Sequence, residues 1–97
     1  MVNFAEVVGK PAMLEQCAEE CTELAQACLK MARKMRNENP TPAAMNDILQ
    51  NLTEEVADVS ICMTAIVDGG LLSYESIESE YLRKEERLRK RLESINK

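Results

Sequence analysis

Residues 12–36 read AMLEQCAEECTELAQACLKMARKMR, a stretch without glycine or proline. Within it Leu14, Cys17, Cys21, Leu24, Cys28, Met31 and Met35 recur at steps of three and four, the spacing of one face of an α-helix. The rest of the chain is read outward from this helix. Upstream, Val2 to Val8 forms a short amphipathic segment whose apolar side is Phe4, Val7 and Val8. Gly9 is expected to cap it and Pro11 to open the next helix. Downstream, Asn37 to Pro42 is a turn-rich break in which Thr41 suits an N-cap and Pro42 a first turn. The following helix should reach about Val67, with Ile48, Leu52, Val56, Val59, Met63 and Ile66 on one side. After Asp68-Gly69-Gly70 a last helix runs from about Ser73 almost to the C-terminus, with Ile77, Tyr81, Leu88, Leu92 and Ile95 as its apolar side. The expectation is one all-α domain over residues 1–97, a short N-terminal helix and three long ones in a bundle.

Composition narrows the function classes. A chain of 97 residues buries only a modest core. Long helices with single apolar faces call for partners, so an oligomer is expected to complete the bundle. Phe4, Tyr74 and Tyr81 are the only aromatic residues, which disfavours a sandwich or barrel. The net charge of −5 argues against binding a nucleic-acid polymer. No apolar run has the length of a membrane span, and Met1 to Lys10 lacks the order of a signal peptide. A cytoplasmic protein is expected. Cys17, Cys21, Cys28 and Cys62 form no C-x-x-C pair, and histidine is absent. Their reading as small apolar core residues stands ahead of metal or redox chemistry.

Two acidic segments carry the chemistry. Glu20 and Glu23 lie three apart on one helix, and Glu55 and Asp58 repeat that spacing on the next, so each pair shares a helix face. Each pair sits one position before residues of its apolar stripe, which places it at the edge of the core. If the two helices pack antiparallel, four carboxylates converge. Such a group repels itself and calls for a hard divalent cation with oxygen ligands. The alternative is two solvated faces with intrahelical partners such as Lys30 or Arg33. On the last helix, Glu80, Lys84, Arg87 and Arg91 follow one another at steps of four, three and four. Cations there can hold phosphates, or simply complement the helix end.

At these residues the chain resembles the MazG-like group of all-α nucleoside triphosphate pyrophosphohydrolases. The likeness rests on Glu20-Cys21-Thr22-Glu23 and Glu55-Val56-Ala57-Asp58 in that order. It is extended by the Phe4–Pro11 opening and by Lys84, Arg87 and the Arg91-Leu92 element of the last helix. The resemblance implies that Glu20, Glu23, Glu55 and Asp58 bind magnesium, with manganese as a substitute, and that Lys84 and Arg87 assist with substrate phosphates. It implies hydrolysis of (deoxy)nucleoside triphosphates to monophosphate and pyrophosphate by a homodimer or homotetramer, in nucleotide-pool house-cleaning. Glu19 or Glu54 would take the proton of the attacking water. The chain departs from the simplest members in the long interval between Glu23 and Glu55 and in Cys21 and Thr22 between the first acids. It also lacks the histidine that follows the second acidic segment in phosphoribosyl-ATP pyrophosphohydrolases. A rival expectation, from the heptad-like stripe of Leu14 to Met35, is a non-catalytic helical oligomerisation or adaptor module.

Overall fold

A computed structural model describes residues 3–38 and 42–96. It contains four helices, α1 (Phe4–Val8), α2 (Lys10–Arg36), α3 (Met45–Asp68) and α4 (Tyr74–Ile95), and no strand among the described residues. The all-α expectation therefore holds, and no helix among the described residues is long and apolar enough to cross a membrane.

The local causes are legible in the caps. The Asn3 side chain accepts a hydrogen bond from the Glu6 amide at 3.3 Å and so begins α1. Gly9, with φ of 89°, serves both neighbours: its amide closes α1 on the Ala5 carbonyl and its carbonyl receives the Met13 amide of α2. Pro11 stands in the first turn of α2, where no amide is required. That helix ends on Asn37 in the left-handed region, with Arg33, Lys34 and Arg36 beside its exposed carbonyls. α3 begins without a side-chain cap after Ala44, so Pro42 precedes the helix rather than entering its first turn. The expected Thr41 cap lies outside the described residues. Ser73 caps α4 by accepting from the Ser76 amide at 3.2 Å.

α2 and α3 form the main packed pair, and α1 tucks against one end of it. The core consists of Ala5, Met13, Cys17 and Cys62, with Ala65 and Ile66 packed on it. Further along the pair, Ala27, Met31 and Ile48 are also buried. Gly69 lets α1 approach, because a Cβ there would lie 2.9 Å from the Ala5 Cβ. The Asn3 amide side chain ties the same corner by donating to the Asp68 carbonyl at 3.0 Å.

The buried faces of α2 and α3 coincide only in part with the apolar stripes that periodicity picks out. On α2 the buried face runs Met13, Cys17, Glu20, Leu24, Ala27, Met31, all buried or half-buried, while Leu14, Cys21, Cys28 and Met35 are exposed. On α3 it takes in Ile48, Asn51, Glu55, Asp58, Cys62 and Ala65 together with the expected Leu52, Val59 and Ile66, while Val56 and Met63 are exposed. Glu20, Glu55 and Asp58 thus stand on the buried faces themselves, while Glu23 is exposed beside them. In α1 the buried residue is Ala5, and Phe4, Val7 and Val8 are exposed instead.

α4 has no buried residue. Ile77, Tyr81, Leu82, Leu88 and Leu92 all face solvent in the single chain. The radius of gyration of the 97-residue chain is 17.1 Å, where a closed domain of that length has about 12.5 Å.

Candidate functional site

The helix register that buries Cys17 and Cys62 brings acidic side chains between the helices. The Cys17 thiol donates to the Cys62 carbonyl at 3.7 Å across the pair. One turn along α2 from Cys17 is Glu20, and one turn before Cys62 on α3 is Asp58. One carboxylate oxygen from each of Glu20, Glu23 and Glu55 lies within 4.8 Å of the other two. Glu20 and Glu55 are half-buried and Glu23 is exposed. The half-buried Asp58 borders the group, close enough for its charge to act on both Glu20 and Glu55.

Hydrogen bonding leaves the group incomplete. Glu20 Oε1 accepts from the Gln16 side chain at 2.8 Å, but Glu20 Oε2 and Glu55 Oε2 are buried with no partner. A covered carboxylate oxygen without a donor is costly, since its lone pairs give up water and gain nothing. The proton affinities reflect this. Loss of solvent raises the Glu20 carboxyl above the ordinary glutamate range; the Gln16 bond partly lowers it, and the charges of Glu23 and Asp58 raise it again. Glu55 is raised by loss of solvent first and then by the charges of Glu23, Asp58 and Glu20.

This donor set fits a hard divalent cation. All its ligands are oxygens, which suit magnesium, manganese or calcium rather than a thiophilic metal. Two opposed metal–oxygen bonds to magnesium span about 4.2 Å. The three grouped oxygens, all within 4.8 Å of one another, are spaced on that scale. The buried Cys62 does not compete, because loss of solvent pushes its thiol up to about 12, with the neighbouring Cys17 adding to the rise. Cys21 and Cys28 are exposed rather than core, against the expectation for all four cysteines.

Two clefts flank the acids. On one side an apolar cavity of about 130 Å³ is lined by Phe4, Met13, Cys17 and Cys62, with Glu20 and Asp58 among its walls. On the other a polar groove of about 400 Å³ is lined by Glu23, Gln26, Ala27, Lys30, Asn51 and Glu55. Lys30, an expected intrahelical partner of the acids, makes no ion pair among the described residues.

The remaining expected residues stand apart. Glu19 and Glu54 are exposed, each about 100° around its helix from the grouped acid that follows it. Glu54 accepts from Gln50 at 3.2 Å. Lys84 and Arg87 lie on α4, where with Leu88 and Arg91 they border a separate groove of about 230 Å³. Arg83 is paired with Glu80 and Arg89 with Glu86 and Glu93, whereas Lys84, Arg87 and Arg91 form no ion pair among the described residues, although the charge of Lys84 acts on Glu80. Comparison of the chain with family models, curated proteins and solved structures finds no match.

Proposed function

We propose that the chain is a subunit of a magnesium-dependent nucleoside triphosphate pyrophosphohydrolase of the MazG-like kind. The single observation that carries this reading is the oxygen group between α2 and α3, with Glu20 Oε2 and Glu55 Oε2 covered and unpartnered. No donor among the described residues reaches these atoms, whereas a cation would satisfy both. Glu20, Glu23, Glu55 and Asp58 are the residues assigned to hold it, and manganese would serve in its place.

Magnesium at such a position supplies neutralising charge for phosphate oxygens and a more acidic water. The chain's own part is to orient that assembly. Glu20 is held from behind by Gln16, and Cys17 and Cys62 keep the floor dry because both are buried. Glu19 and Glu54, on the open sides of their helices, are the assigned proton acceptors for water attacking the phosphorus. Water adds to that phosphorus, the bond between the α and β phosphates breaks, and monophosphate and pyrophosphate leave. Lys84 and Arg87 are assigned to the negative charge that develops, in a homodimer or homotetramer acting on the cytoplasmic nucleotide pool.

A second chain is part of the proposal for a physical reason. α4 leaves Ile77, Tyr81, Leu88 and Leu92 exposed, and the chain is more open than a closed domain of its length. Its unpaired Lys84, Arg87 and Arg91 complement the acids on α2 and α3 of a neighbour. The rival adaptor reading shares this self-association but needs no cation. Thermal melts with magnesium and with chelator separate the two: magnesium stabilises the pyrophosphohydrolase and leaves an adaptor unchanged.

A further inference from the structure

The polar groove beside Glu23 and Glu55 contains a cation, Lys30, that makes no ion pair among the described residues. Lys30 follows Glu23 by seven residues, which is about 10 Å along α2 on nearly the same face. Helical side chains lean toward the N-terminus, so the Lys30 stem leans back toward Glu23. Yet its ammonium pairs with neither Glu23 nor Glu55, although all three line one groove. Gln26 lies between them on α2, and Asn51 lies one turn before Glu55 on α3. The side-chain amides of Gln26 and Asn51 likewise have no hydrogen-bond partner among the described residues. The half-buried Lys30 and two amides without a hydrogen-bond partner among the described residues therefore line the same groove as the Glu23 and Glu55 carboxylates.

We propose that this groove binds the pyrophosphate end of the substrate, with Lys30 as its phosphate-binding cation and Asn51 and Gln26 as hydrogen-bond donors. The inference rests on the metal-dependent reading above and adds a direction to it. The phosphates extend from Glu23 and Glu55 along the groove, so the nucleoside lies on the other side, toward the apolar cavity of Phe4, Met13 and Cys62. Lys30 meets the anion as a point charge with three donors, and the amides fit oxygens that the ammonium leaves free.

The test is calorimetric titration of inorganic pyrophosphate with magnesium chloride into the full chain, into Lys30→Met and into Lys30→Arg. Magnesium-induced thermal stabilisation is recorded for each. Loss of a charged hydrogen-bonding partner should weaken pyrophosphate at least about tenfold in Lys30→Met. Lys30→Arg should bind within about threefold of the parent chain, because it keeps the charge. All three proteins should keep the same magnesium shift, which shows that the fold and the acids are intact. Equal pyrophosphate affinity in Lys30→Met, or no pyrophosphate binding by the parent chain, overturns the groove assignment. Failure of the parent chain to hydrolyse any triphosphate strikes the enzymatic reading instead, since pyrophosphate binding is read without turnover.

Discussion

Glu20 on α2 and Glu55 on α3 each turn one carboxylate oxygen into the seam between the helices, and neither oxygen has a hydrogen-bond donor. The two residues belong to one group with Glu23. A fold rarely covers two acceptors of like charge side by side without a return elsewhere. That relationship is the source of both the proposed chemistry and the stability behaviour expected of the protein.

The first expectation concerns pH. Glu20 and Glu55 are both raised above the ordinary glutamate value, so the folded chain holds more protons than the unfolded one just above that value. Stability from these groups is then present below the unfolded value and is lost as pH rises through the folded one. Without divalent cations the melting temperature should climb as pH falls from about 7 toward about 5. Glu80 and Glu86 oppose this only at more acid pH, because Arg83 and Arg89 hold their carboxyls below the ordinary range. Magnesium should flatten the slope. Circular-dichroism melts across this window check it, and a slope of the opposite sign would refute the repulsion account.

Glu55→Gln removes one of the repelling charges and keeps the shape. The metal-free variant should melt above the parent chain at neutral pH. It should also lose the magnesium effect, which at a concentration about 100 times the dissociation constant amounts to about 2.7 kcal/mol for the parent. A small domain translates each kcal/mol into roughly 4–8 °C. Parallel melts of the two proteins with and without magnesium decide the matter; a variant that responds like the parent has not lost a ligand.

Gly69→Ala tests how α1 is held. The added methyl would meet the Ala5 Cβ at 2.9 Å and the Ala65 carbonyl oxygen at 3.0 Å. Neither neighbour is a flexible side-chain end, so α1 must shift. The expected cost is about 1–3 kcal/mol. Urea unfolding measures it, and an unchanged midpoint would mean that the corner closes in another way.

The cysteines should divide by exposure. Cys21 and Cys28 are exposed, while Cys17 and Cys62 are buried and Cys62 is pushed up to about 12. Thiolate is the reactive form, so brief alkylation of the folded chain near neutral pH should label Cys21 and Cys28 and spare the other two. Peptide mass spectrometry reads this directly. Fast labelling of Cys62 would show that the floor of the seam opens.

Self-association should depend on α4. The parent chain, 10.9 kDa, is expected to sediment as a dimer or tetramer, and Leu88→Glu with Leu92→Glu to drive it toward single chains. Sedimentation at single-chain mass for the parent would remove the proposed role of a second copy.

Much of the fold was legible because the signals are strong and local. The glycine- and proline-free run after Pro11 and the Gly69-Gly70 break bound the helices within a few residues. The acidic group was legible from the threefold spacing of Glu20 with Glu23 and Glu55 with Asp58. The buried faces were harder to read, since periodicity assigns the core to the most apolar stripe. Here Leu14, Cys21, Cys28 and Met35 are exposed, while Glu20, Glu55 and Asp58 take interior positions. A sequence pattern cannot distinguish a stripe that packs within the chain from one that awaits a second chain. Lys30 and Asn51 were equally hidden, because their meaning depends on how α2 and α3 register against each other rather than on any motif.

The central claim is metal-dependent cleavage at the grouped carboxylates. Release of pyrophosphate and monophosphate from a panel of ribo- and deoxynucleoside triphosphates, with magnesium and with chelator, tests it most directly in the parent chain and Glu55→Gln. The account predicts equimolar products from the parent only with magnesium, and none from the variant. Turnover that survives chelator or the loss of Glu55, or no turnover by a folded parent on any triphosphate, would contradict it.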